Sequence, residues 1–491
     1  MPFLRRLLER RGYRLTPMSV GMPTSTPAFQ MAAMFGVRPD IPGFHYHDRR
    51  RRSDVYFPRA GDAAQVESAQ AAGRVGILAG GSAYGCVFTG GALDNLFSFA
   101  MIKRPTGAGI VRAVSAVLVL GWVLVKGLTL SLVELARALL RVIADPVREP
   151  RRGWKWLALK LAMSVWLREL FTLAVSRDLY RGTPAVYVNY LDYDVFAHAY
   201  GPRHRWALRS LRAVDRSLRQ LWRVGRRVPE HRYDFYVLSD HGQAPTTPYR
   251  ELTGGVALER WLFDEFFDPA GATEVSAWRP RGRRLARGIK AYRSQGAPGF
   301  FQRFMNYLER DFAWVLGELK EARERGGVRV ISAGPNAFVY FLDSPVPLIV
   351  DAIEERFPGL PEELSRSAGI GFVLARGASG PVCFARGKRH RLTEDDAGPF
   401  TGRPDLDLVL AGLRDLMAMP SAGDLVLYGL EAPRGNVSFI SERGAHAGPT
   451  RDELHTFLIA PPGVTVPTPI THPLQLYPWF IAYHEEFRKA A

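Results

Sequence analysis

"AVYVNYLDYDVFAHAYGPRH" (185–204) opens as a β-branched and aromatic run, changes at Asp192 to a helical rhythm, and stops at Gly201-Pro202. An apolar run without polar alternation is the pattern of a strand covered on both faces. Asp194 and His198 follow it four residues apart, a spacing that puts both side chains on one face of a helical turn. Asp192 competes for the carboxylate role but lacks the one-turn spacing. An arginine-rich helical pattern from about Pro202 to Val224 leads to a second such run, "YDFYVLSDHG" (233–242). Strand, helix, strand in that order is the signature of parallel strands joined by a crossover helix. The expected fold class is α/β, with a mostly parallel central sheet flanked by helices.

Both runs end in groups that can hold a cation. Ser239-Asp240-His241-Gly242 puts a carboxylate and an imidazole at the carboxyl end of a buried strand, the edge where open α/β sheets bind ligands. One hard oxygen beside one imidazole nitrogen suits zinc or manganese, although a strand-end turn capped by the aspartate is the plainer reading. His446 lies in Gly-Ala-His-Ala-Gly, where small neighbours would admit an ion or simply form a surface loop. Near the start, Thr24, Ser25 and Thr26 precede Pro27 and a helical pattern, so one hydroxyl sits close to a helix N-terminus, where backbone N–H groups favour anions. Jointly the segments offer two carboxylates, three imidazoles and a hydroxyl, enough for most of a two-metal site.

The bulk numbers set the limits. With 491 residues, 47% hydrophobic and 23% charged, the chain can build two or three cores and is not disordered in composition. The formal charge of +17 is carried by arginine runs such as Arg49 to Arg52 and residues 279–293, which could attract phosphates or anionic lipid or solvate a surface. Two cysteines, Cys86 and Cys383, exclude a disulfide framework. The first 25 residues carry charges throughout and have no apolar core of a secretory signal.

An apolar segment at 113–133 is long enough to cross a bilayer but holds Lys126, and 154–175 interleaves Lys155, Lys160 and Arg168 with Trp and Leu. Spanning, lying in an interface and forming a buried hairpin all remain open for this pair. The expected location is cytoplasmic, or peripheral or integral to a membrane.

In order, Pro-Thr-x-Thr, Asp-x-x-x-His-x-x-Gly-Pro, Ser-Asp-His-Gly and a late His-x-Gly resemble the alkaline phosphatase superfamily, in its type I phosphodiesterase/nucleotide pyrophosphatase branch. The resemblance implies an alkaline phosphatase-like sheet and two divalent metal ions, zinc first, with manganese or iron as alternatives. It implies that Asp194, His198 and His446 hold one ion and that Asp240, His241 and Thr26 hold the other. Thr26 would be the nucleophile, with Ser25 as runner-up, and a phosphothreonine would form and be hydrolysed. The implied substrate is a phosphodiester or nucleotide-like small molecule, with an anionic membrane surface as a further partner and no specific nucleic acid.

The sequence departs from the family at two places. The position of the family's phosphate-binding asparagine reads Phe44, flanked by His45 and His47. No aspartate occurs before Asp40, so the family's first strand, which ends in Asp-Gly, is expected to be missing from this sequence. The expected organisation is a nucleophile-bearing part of the catalytic domain at 1–100 and a helical, membrane-associated apolar insert at 101–182. The metal motifs follow at 183–250, a smaller α+β cap at 251–420 and the end of the catalytic domain at 421–491. Two other readings stand beside a phosphodiesterase or pyrophosphatase: a membrane-associated phosphotransferase or phosphohydrolase on lipid head groups, and a catalytically impaired metal-binding protein.

Overall fold

The computed structural model describes residues 1–96, 125–133, 135–136, 162–267 and 323–490. Helix α1 (Pro2–Arg10) buries Phe3, Leu4 and Leu7 and turns its arginines to solvent. Its first amides, those of Phe3 and Leu4, donate to the buried Asp215 carboxylate at 2.8 and 3.1 Å. Strand β1 (Arg14–Ser19) and helix α2 (Thr26–Phe35) follow. Next come β2 (His45–Asp48), β3 (Ser53–Tyr56), β4 (Ser82–Tyr84) and β5 (Asp94–Leu96). Helix α3 (Arg168–Tyr180), β6 (Val186–Val188), α4 (Asp192–Tyr200), α5 (Arg205–Gly225) and β7 (Val237–Leu238) make up the stretch that holds the motifs. Helix α5 buries Ala207, Val214, Leu218 and Leu221 on one side, so its arginine-rich side is a solvated face.

The longer strands that follow are β8 (Arg323–Arg325), β9 (Val328–Ser332), β10 (Asn336–Phe341), β11 (Phe372–Gly377), β12 (Gly380–Ala385), β13 (Lys388–His390), β14 (Leu425–Tyr428) and β15 (His455–Ala460). The closing helix is α6 (Leu476–Ala490).

The class is mixed α/β, but the pairing differs from the expected mostly parallel sheet. The largest sheet has seven strands in the order β8-β9-β10-β14-β11-β12-β13, every neighbour antiparallel. It arises from the region expected to form the smaller cap, with β14 paired in its middle. Among the described residues, parallel pairing is limited to β5-β4-β6, one two-residue ladder and two isolated bridges, Met18 with Ile470 and Ile349 with Arg376. The antiparallel set β1-β15-β7 stands apart from it, with Leu238 opposite Leu458. The two motif-bearing runs therefore pair with different partners, and among the described residues no parallel sheet joins them.

Among the described residues, no helix is long and apolar enough to cross a membrane. Most of the apolar segment at 113–133, with the basic stretch at 279–293, lies outside the described residues. Lys126 is described, and its ammonium pairs with Glu169 at 2.5 Å. Helix α3 packs into the protein: Arg168 is buried in an ion pair with Asp192 at 2.6 Å, and Phe171, Val175 and Leu179 join a core with Tyr84 and Leu221. Asp192 is thereby committed to structure. Cys86 and Cys383 are buried and free.

Candidate metal centre

Four elements converge at the carboxyl ends of β6 and β7. Helix α4 brings Asp194 and His198 on one face, the end of β7 brings Asp240 and His241, and a loop after the bridge between Gly444 and Pro245 brings His446. The N-terminus of α2 brings Thr26. Gly242 must lack a side chain because a Cβ there would lie 1.9 Å from the Asp452 carbonyl oxygen. Ala447, just after His446, holds a φ of 115°, a region that only glycine enters freely, so this loop stores backbone strain next to the cluster.

The three imidazoles are arranged alike. His446 Nδ1–H donates to the Thr24 carbonyl at 2.8 Å, His241 Nδ1–H to the Gly242 carbonyl at 3.0 Å, and His198 Nδ1–H to the Gly444 carbonyl at 2.8 Å. With each Nδ1 engaged, the Nε2 atoms face the cluster, those of His198 and His446 toward Asp194 and that of His241 toward the Thr26 hydroxyl. Asp194 Oδ1 lies 3.4 Å from His198 Nε2 and 3.6 Å from His446 Nε2. The His241 and His446 rings stack with centroids 3.7 Å apart, and His241 Nε2 is 3.8 Å from Asp240 Oδ2. Ligand atoms of Asp194, His241 and His446 all lie within 4.8 Å of one another. One carboxylate among imidazole nitrogens so disposed is a donor set suited to zinc or another first-row divalent ion.

The electrostatics agree with a site that holds charge. Burial opposes ionisation of Asp194, yet the facing imidazoles of His198, His446 and His241 outweigh it and hold the carboxyl far below its ordinary range. Burial and the neighbouring His241 hold His446 well below the usual imidazole range, so its Nε2 stays a lone-pair donor.

Thr26 and Ser25 have different surroundings. Thr26 Oγ1–H donates to His241 Nε2 at 3.1 Å, which brings the hydroxyl to the cluster. Ser25 is the N-cap residue of α2 and is buried, and its hydroxyl has no hydrogen-bond partner among the described residues. His45 and His47 are buried in β2, and His47 Nδ1 is bound to Asp54 at 2.9 Å, a buried pair shared with Arg329. His47 thus ties β2 to β9 through Arg329, while His45 packs edge-on against Tyr56 of β3.

Three side chains, Gln243, Glu442 and Thr24, have supporting roles that the sequence did not show, Thr24 having been read only as one of three hydroxyls near a helix N-terminus. Gln243 Nε2–H donates to Asp194 Oδ1 at 2.5 Å and fixes the carboxylate. Glu442 Oε2 faces His198 Nδ1 at 2.7 Å while its other oxygen accepts from the Ser438 hydroxyl at 2.6 Å. Thr24 Oγ1–H donates to the Gly448 carbonyl at 3.1 Å and accepts from the Ala447 amide at 2.9 Å. Only their nearness in sequence to Thr26, His241 and His446 could have hinted at these roles.

The profile of the family described as "Type I phosphodiesterase / nucleotide pyrophosphatase" matches residues 141–294, the span that contains Asp194, His198, Asp240 and His241. The chain is also similar to two solved structures of phosphonoacetate hydrolase from Sinorhizobium meliloti 1021. The one in complex with phosphonoformate is 15% identical with a TM-score of 0.47, and the alignment covers 98% of this chain and 90% of that one. The other, in complex with phosphonoacetate, is 14% identical with a TM-score of 0.45 over the same shares. No curated protein matches the chain. By its ordered motifs and by the match over 141–294, the chain is similar to the type I phosphodiesterase / nucleotide pyrophosphatase family, a likeness that supports a hydrolase.

Proposed function

We propose that the protein is a metal-dependent hydrolase of phosphodiester or pyrophosphate bonds in small, nucleotide-like molecules, acting through a phosphothreonine at Thr26. The observation that carries this reading is the turning of the His198 and His446 Nε2 atoms toward Asp194, with His241 in the same cluster and the Thr26 hydroxyl 3.1 Å from the His241 Nε2. Asp194, His198 and His446 would hold one divalent ion, and Asp240, His241 and the Thr26 oxygen the other. Bound there, the ions would supply positive charge that acidifies the hydroxyl and neutralises the phosphoryl oxygens.

The chain's own part is positioning. Thr26 stands at the first turn of a ten-residue helix, so backbone N–H groups and the helix dipole favour a phosphate at its hydroxyl. The Thr26 hydroxyl stands 3.1 Å from His241 Nε2, so the oxygen lies beside the nitrogen that would bind the second ion. Attack by Thr26 Oγ1 forms the new O–P bond as the P–O bond to the leaving alcohol or nucleoside phosphate breaks, and the leaving oxygen takes up the proton. Water then cleaves the phosphothreonine, restoring the hydroxyl and releasing the phosphate monoester. Hydrolysis of an aryl phosphodiester with added zinc or manganese, run beside Thr26→Ala, tests the proposal. Metal-dependent activity lost in the variant is the expected result, and undiminished activity of Thr26→Ala would overturn it.

A further inference from the structure

Helix α5 carries an arginine on every turn of one face. From Arg205 to Arg223 six of them recur at steps of four, three, four, three and four residues, and all six are exposed. That spacing holds them in one stripe, which at 1.5 Å per residue is about 27 Å long. The opposite face is in the core: Val214 and Leu218 join Phe3, Leu4 and Leu7 of α1, and Leu221 and Val224 join Phe171, Val175 and Leu179 of α3. The stripe has no acidic partner on its own helix. Asp215 is the one acid of α5, and its buried carboxylate accepts from the Phe3 and Leu4 amides. Like charges four residues apart oppose the helix that carries them, so a face of this kind gains from an external anion. Helix α1, packed against α5, adds Arg6 and Arg10, both exposed and one turn apart.

Near the two ends of the stripe stand Trp206 and Trp222, both half-buried. The guanidiniums of Arg205 and Arg209 lie 5.2 and 4.8 Å from the Trp206 ring centre, and those of Arg11 and Arg226 lie 5.3 and 5.0 Å from the Trp222 ring centre. Leu208, 49% exposed, sits three residues after Arg205 and four before Arg212, on the stripe itself. These features separate the polyanions that could sit here. A duplex repeats every 34–36 Å or roughly so, and a straight stripe of about 27 Å laid along it crosses about two phosphate backbones and leaves the other guanidiniums over grooves. A single strand needs free aromatic faces for its bases, and each indole already has two guanidiniums against it. A flat layer of phosphates meets all six guanidiniums at once, Leu208 finds apolar surface there, and tryptophan is favoured at a membrane–water interface.

We infer that this face is a docking surface for an anionic lipid bilayer, with α5 lying along the head-group layer and its guanidiniums on the lipid phosphates. A guanidinium grips phosphate oxygens in pairs through its planar fork. From the sequence, α5 reads as a crossover helix and membrane contact is expected at the apolar insert, 101–182; this face belongs to a different element. Because the apolar side of α5 is in the core, the contact is electrostatic. The stripe begins just after α4, the helix that carries Asp194 and His198, so its Arg205 end is the one nearer the candidate metal centre.

Binding is read without turnover, so the test is independent of the proposed chemistry. Cosedimentation of the full chain with phosphatidylcholine vesicles, alone or with about 30% phosphatidylglycerol, measures it. At about 0.1 M salt the anionic vesicles are expected to bind at least about tenfold more tightly than the neutral ones, and about 1 M salt, with its screening length near 3 Å, to abolish the difference. Each arginine near an anionic leaflet is worth about fivefold, so Arg209→Gln/Arg212→Gln/Arg216→Gln/Arg219→Gln is expected to weaken binding at least about 100-fold. Arg356→Gln/Arg366→Gln/Arg391→Gln/Arg434→Gln removes the same charge from exposed positions elsewhere and is expected to stay within about threefold of the parent. Equal binding of the parent to neutral and anionic vesicles, which needs no variant, would overturn the inference. So would an α5 variant that binds as the parent does, or a loss in the control variant as large as in the α5 variant. Tighter, salt-sensitive binding of a duplex of about 30 base pairs that the α5 variant loses would overturn it too, and would assign the face to nucleic acid.

Discussion

Thr24→Val keeps the shape of a side chain that touches none of the candidate ligands directly, yet it should weaken metal binding. Thr24 Oγ1 joins both sides of the loop that presents His446, accepting from the Ala447 amide at 2.9 Å and donating to the Gly448 carbonyl at 3.1 Å, all of them buried. Valine removes the hydroxyl and leaves two buried backbone groups unpaired, at about 1–3 kcal/mol each. The strained Ala447 depends on those bonds, so the loop is expected to relax outward in the free protein and to be drawn back when an ion binds. Supporting side chains of this sort are worth about 10- to 100-fold in metal affinity. Competition of the purified protein with a chromophoric chelator for zinc would measure it, with Thr24→Ser, which keeps the hydroxyl, expected to behave as the parent. A zinc Kd for Thr24→Val within twofold of the parent, in a protein of native circular dichroism, would refute the reasoning.

Two further outcomes follow from buried charge. Burial pushes Glu453 up to about 7 from an ordinary 4.5. Because its folded value is the higher one, its contribution is complete at acid pH and is lost as the pH rises from about 4.5 through 7, at most about 3 kcal/mol from 1.36 kcal/mol per unit. Urea midpoints across that range should fall less steeply in Glu453→Gln, and parallel slopes would contradict this. Arg168→Met strands Asp192 in the core without its partner and should cost about 3–5 kcal/mol in urea unfolding, with part of the loss recovered in Arg168→Met/Asp192→Asn. Failure of the second change to recover anything would show that the pair is not what holds α3 in place.

The residues that carry chemistry were legible because their chemistry is local. Asp194 and His198 were readable from a four-residue spacing, and Asp240 and His241 from a strand that ends in them; the structure brings both pairs to one cluster with His446 and Thr26. Gln243, Glu442 and Thr24 were not, because they act only where distant segments meet, as when Thr24 reaches a loop 424 residues away. Arg168 shows the same limit in another form: a cation in an apolar helical pattern reads as a membrane-facing residue until Asp192 is seen against it. The individual strands at 185–191 and 233–242 were found from composition, whereas their pairing was not, since sequence gives a strand its faces but not its neighbours.

The central claim is the pair of divalent ions held by these side chains, and anomalous diffraction from a zinc-soaked crystal tests it most directly. Two peaks are expected, one about 2.0–2.2 Å from Asp194, His198 and His446 and one at similar distances from Asp240, His241 and the Thr26 hydroxyl. An absence of density at the cluster while zinc binds elsewhere on the surface would contradict the account.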